Sequence, residues 1–89
     1  MRAIVTVIGK DRVGIIANVC SILAEKEVNI LDISQTVMRE YFTMIMLVDT
    51  TGSATLFAEL SKALEARGKE QDLSIRIQRE DIFNAMHRI

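Results

Sequence analysis

The sequence predicts an α+β fold, a ferredoxin-like β-α-β-β-α-β sandwich. That is a four-stranded antiparallel sheet with two helices on one face, here followed by a short C-terminal helix. Three observations predict it. Apolar residues switch from strand spacing to helical spacing and back, twice, along the chain. The two helical stripes lie about one half-chain apart, so each half is a strand–helix–strand unit whose right-handed crossover places its helix on the same face. Finally, 89 residues, 49% of them hydrophobic, suit one core and leave no room for a second.

Residues 3–8 are apolar and mostly β-branched, which suits a buried first strand. The segment from Gly9 to Gly14 breaks that pattern. Ile15, Ile16, Val19, Cys20 and Leu23 then recur at helical spacing, giving a helix over residues 13–26. Residues 28–38 read as a second strand, and Arg39-Glu40 as a hairpin tip without the Gly or Asn that eases a tight turn. Phe42, Met44, Met46 and Val48 alternate with Thr43, Ile45 and Leu47 in a third strand. Ser53 offers an N-cap for a second helix along Leu56, Phe57, Leu60, Ala63 and Leu64, and Gly68 stands where a glycine stop is expected. Leu73, Ile75 and Ile77 alternate with polar residues in a fourth strand. Ile82, Phe83, Met86 and Ile89 give the terminal amphipathic helix. The whole chain, 1–89, reads as one domain, with a core at 1–79 and a tail at 80–89.

In this topology the first and third strands are the central pair. If Val5, Val7, Met44, Met46, Ile75 and Ile77 face the helices, Ile4, Ile8, Ile45 and Leu47 point the other way. That second face is too apolar to stand bare. The terminal helix, a partner subunit or both must cover it, and a chain whose core is this small is expected to be a homo-oligomer, a dimer first of all.

Composition excludes several function classes. With one Cys and one His there is no internal disulfide and no closed zinc site, so no metal and no cofactor is expected. Cys20 lies in the apolar stripe, where a buried thiol is expected. His87 sits in the tail, where an exposed or interfacial side chain is expected. Eleven basic and twelve acidic residues argue against nucleic-acid binding, and Tyr41-Phe42 lack the interleaved aromatic run of an RNA-binding sheet. No stretch is long and apolar enough to cross a membrane. The start, Met1-Arg2 with six apolar-rich residues, is too short for a signal peptide, and Lys10-Asp11-Arg12 stand where cleavage would fall, so the cytoplasm is the expected compartment.

The segment that could hold a ligand is Asp11-Arg12-Val13-Gly14-Ile15, where a strand gives way to a helix. Unpaired amides at a helix start, with the positive end of its dipole, suit a carboxylate or phosphate. Gly14 admits a ligand, or simply allows close helix packing. Asp11 either borders the site or caps the helix. Asn29 opens the second strand with a side chain that donates and accepts, or satisfies backbone in the turn before it. Ile30 is its neighbour, and Asp32 can pair with an ammonium.

The run from Asp11 to Ala17, together with Asn29-Ile30-Leu31-Asp32-Ile33-Ser34-Gln35, resembles the ACT domain, a small-molecule regulatory module of amino-acid metabolism. The likeness covers roughly residues 1–79, and the ending from Glu80 to Ile89 is similar to that of free-standing ACT proteins of bacteria and archaea. Glycine-cleavage regulators and the N-terminal part of formyltetrahydrofolate deformylase have a similar start. The resemblance implies paired subunits, with ligand sites where the strand-to-helix loop of one meets the second strand of another. Asp11 matches the loop position that is Asp or Asn in the family. Val13, Gly14 and Ile15 would offer amides to a ligand carboxylate, and Asn29 would reach it across the interface. Val13 replaces the Pro of many ACT loops. Gly9 replaces the His of serine-binding relatives, so the implied ligand is an amino acid or similar small zwitterion, with serine disfavoured.

Three functions compete. The first is a non-catalytic regulatory sensor that signals to a separate enzyme or regulator. The second is a ligand-free interaction subunit that docks on a metabolic enzyme through its sheet face and tail. The third is a small acylphosphatase-like enzyme. That reading lacks the Gly-rich run ending in Phe-Arg, and Asp11 would repel a phosphate.

Overall fold

The computed structural model describes residues 1–10 and 13–86. Its elements are β1 (Arg2–Lys10), α1 (Ile15–Glu25), β2 (Asn29–Met38), β3 (Tyr41–Asp49), α2 (Phe57–Glu70), β4 (Leu73–Arg79) and α3 (Glu80–Met86). The strands form one antiparallel sheet in the order β2-β3-β1-β4. The fold is thus the ferredoxin-like sandwich with a terminal helix, and β1 and β3 are its central pair.

Alternation along the strands sets the core. Ala3, Val5 and Val7 of β1 are buried, as are Phe42, Met44, Met46 and Val48 of β3. In an antiparallel pair, residues opposite each other share a face. The register sets Val5 between Met46 and Ile77, and Val7 between Met44 and Ile75, so one apolar layer runs across three strands. Ile15, Val19, Ile22 and Leu23 of α1 and Leu60 and Leu64 of α2 close over it. Among the described residues no polar or charged residue is buried.

The helix ends depart from the sequence expectation in three places. Ser53 does not cap α2: its Oγ accepts the Thr55 amide at 3.2 Å within a preceding turn, and Leu56, exposed, holds the N-cap position. Gly68 does not stop α2. It is buried inside the last turns, where a Cβ would fall 2.7 Å from the Leu73 carbonyl oxygen, so the glycine serves close packing on β4. The stop is Asp72, at φ 58°. α1 begins at Ile15 rather than residue 13. Its end is a Schellman arrangement: the Val28 amide bonds the Leu23 carbonyl at 2.9 Å and the Glu27 amide bonds that of Ala24 at 3.0 Å, with Glu27 at φ 58°. Cys20 and Ile16 are less enclosed than the stripe implied; Cys20 is half-buried and Ile16 is exposed.

Candidate functional site

β1 and β2 run parallel on either side of β3. Arg2 and Asn29 both pair with Asp49 at one end of the sheet, while Lys10 and Met38 both pair with Tyr41 at the other. The loop that leaves Lys10 for α1 is therefore at one end, and Asn29 is at the opposite end, about 27 Å away for eight residues of strand. Within one chain the two halves of the sequence-derived site are far apart.

Asp11 and Arg12 lie outside the described residues. Val13 is fully exposed, and Gly14 takes the N-cap of α1 at φ 93°, a left-handed conformation that suits glycine. A Cβ on Gly14 would meet only Asn18 Nδ2, at 3.8 Å. The glycine is thus required by backbone conformation and not by close packing. The Gly14 carbonyl accepts the first helical bond, from the Asn18 amide at 2.9 Å. That leaves the amides of Ile15, Ile16 and Ala17 with no acceptor inside the helix. No described side chain caps them, and the first turn carries no acidic residue. Among the described residues nothing occupies the positive end of the α1 dipole, a position that suits an anion.

At the other end Asn29 is exposed, while Ile30 is half-buried and packs against the core. Beside Asn29, the Asp49 carboxylate accepts the Thr51 hydroxyl at 2.6 Å, the Thr51 amide at 2.9 Å and the N-terminal ammonium at 3.4 Å. The Thr51 side-chain bond, first, and then its amide hold Asp49 below the ordinary carboxylate range. The ladder slips between Ile30 and Asp32, so Leu31 is an extra, bulged residue. Asp32 pairs with Leu47 on the face away from the helices, and its Oδ1 accepts the Ile33 amide at 2.8 Å.

β2 is an edge strand and is exposed along nearly its whole length. Its helix-side residues Ile33 and Val37 pair with buried Met46 and Phe42, yet are 42% and 52% exposed. Sequence reasoning missed this strip. The signal was present: ten residues with no Pro, Lys or Arg to guard an edge.

The ACT-domain family model matches residues 2–78. A UPF0237 protein of Clostridium acetobutylicum is 60% identical over 89 residues, covering 100% of both chains. The structure of an ACT domain protein from Streptococcus pneumoniae superposes with a TM-score of 0.83 at 46% identity, covering 98% of each chain. That of a candidate transcriptional repressor of the glycine cleavage system gives 0.75 at 26% identity, covering 86% of this chain and 44% of that one.

Proposed function

Because this chain belongs to the ACT-domain family, whose members are in general regulatory and ligand-binding, we propose that it is a non-catalytic sensor of an amino acid or similar small zwitterion, and that it signals to a separate enzyme or regulator. The separation of the two half-sites supports this reading most. Consider two β2 edges paired antiparallel about a two-fold axis near Ile33 and Ser34. The partner's Asn29 then lies opposite Met38, in the row where β1 ends and the loop to α1 begins. The ligand carboxylate meets the amides of Ile15, Ile16 and Ala17 with Val13 beside it, and Asp11 and Arg12 stay in the proposed site on the sequence alone. The partner's Asn29 and Ile30 close the other side. Asp32, on the far face of the sheet, has no contact in this arrangement.

The pairing also covers Ile33 and Val37. A ligand that touches both chains binds the pair better than the single chain. It shifts the population toward one dimer geometry, which a second protein reads.

Calorimetric titration of the intact oligomer with each of the twenty amino acids tests the reading. One or a few are expected to saturate, and Asn29→Ala to weaken binding about tenfold or more, the cost of one or two lost hydrogen bonds. No heat at millimolar ligand would refute it.

A further inference from the structure

The sheet has two edges, β2 and β4. β2 is taken up in the pairing proposed above. β4 is held on both of its faces. α2 presses on one, where a Cβ on Gly68 would fall 2.7 Å from the Leu73 carbonyl oxygen. α3 continues from β4 and lies over the β1–β4 side of the other: Arg2 Nε donates to Glu80 Oε2 at 3.1 Å, and Gln78 Nε2 donates to Met86 Sδ at 3.6 Å. The edge itself is open. Every second residue of β4 turns its N–H and C=O away from β1. Among the described residues no backbone group outside the sheet bonds them.

Beside that edge, Glu65 and Lys69 of α2 and Leu73, Ser74, Ile75 and Arg76 of β4 line a hollow of about 300 Å³. Leu73 and Ile75 are buried and form its apolar floor, while the others are exposed at its rim. The rim is basic on balance. Lys69 and Arg76 outweigh Glu65, and among the described residues neither cation makes an ion pair. β4 carries Arg76 and Arg79 and no acidic residue. Arg79 donates to Asp81 at 2.8 Å, so among the described residues Arg76 is the charge of this strand that lacks a counter-charge. β2, by contrast, carries no basic residue.

We propose that the β4 edge is a docking site for an extended acidic segment of another protein, which adds to the sheet as a further strand. Main-chain bonds to the outward groups of β4 hold the segment in place. Its side chains alternate between the two faces. One set enters the hollow between α2 and β4, and the other stands on the outer face beside Arg76. Acidic residues beside Arg76 and within reach of Lys69 supply the counter-charges that this chain lacks. A second copy does not fit this edge. Laid antiparallel and in full register along β4, it would set Arg76, the middle residue, against itself. Basic residues on an edge strand oppose such self-pairing, and the same charges select an acidic strand. The contact uses the edge opposite the proposed ligand site and does not depend on a ligand being bound.

The test is amide NMR of the isotope-labelled, full-length protein titrated with an end-capped peptide of alternating glutamate and valine, about six residues long. Saturable shifts are expected at β4 and at Glu65 and Lys69, with slowed hydrogen exchange at alternate β4 amides. The chain carrying both Lys69→Glu and Arg76→Glu should bind this peptide about tenfold or more weakly and should prefer the lysine–valine counterpart. Both positions are exposed, and the amide spectrum itself shows that the variant is folded. No shift at millimolar peptide, shifts confined to β2, or equal binding of the two peptides by the unaltered chain overturns the proposal. So does a folded charge-reversed chain that still prefers glutamate. None of these outcomes bears on the amino-acid titration, which reads Gly14 and Asn29, so the two readings fail independently.

Discussion

Gly14 holds the start of α1 at φ 93° with open space around its Cβ position. An alanine there meets no steric obstacle but must occupy the left-handed region, at a cost of about 1–2 kcal/mol. Urea unfolding of Gly14→Ala should show that loss in the midpoint with an unchanged slope. A neutral result would mean that the helix start does not need this conformation. Among the described residues three others take positive φ without being glycine: Glu27, Arg39 and Asp72. They end α1, turn the β2–β3 hairpin and end α2. Sequence reasoning finds such positions through Gly and Asn, and here the chain uses Glu, Arg and Asp. That is why the hairpin tip carried no turn signature and why the end of α2 was placed at the only glycine nearby.

Gly68 shows at the scale of the element what that misplacement hid. It sits in α2 against β4, where a Cβ would lie 2.7 Å from the Leu73 oxygen and 3.1 Å from Ile75 Cγ1. Alanine gains helix propensity of up to about 1 kcal/mol. Overpacking against backbone costs about 1–3 kcal/mol, so Gly68→Ala is expected to be destabilising on balance. A stabilised Gly68→Ala in chemical denaturation would show that α2 can move away from the sheet. The elements themselves were legible because strand and helix periods differ and because Val5, Met46 and Ile77 fall on one face. Exposure along β2 was not. Ile33 and Val37 alternate as a half-buried strand should, and only the strand order reveals that the helices stop short of them. Burial of an edge strand is a property of its neighbours, and a single sequence carries that information weakly.

For the molecule as a whole, the family resemblance implied that the loop and Asn29 meet across two chains, but neither motif by itself could say why they cannot meet within one. That follows from β1 and β2 being parallel, which puts Gly14 and Asn29 at opposite ends. It also supplies the sharpest test of the proposed sensor. Gly14→Asp keeps a residue type that tolerates the left-handed region while setting a carboxylate at the amides the ligand needs. Asn29→Ala removes the contact from the other side. Gly14→Asp alone should bind no ligand, and Asn29→Ala alone should bind it about tenfold or more weakly, with no site of wild-type affinity in either. In a mixed dimer, the intact loop of the Asn29→Ala chain faces the intact Asn29 of the Gly14→Asp chain, and one complete site is re-formed. Random pairing of equal amounts makes half the dimers mixed, so titration of the mixture should recover about a quarter of the wild-type sites at wild-type affinity. If loop and strand of one chain made the site, no mixture could recover any. The stoichiometry of the mixture thus separates a shared site from a private one, whichever amino acid proves to be the ligand.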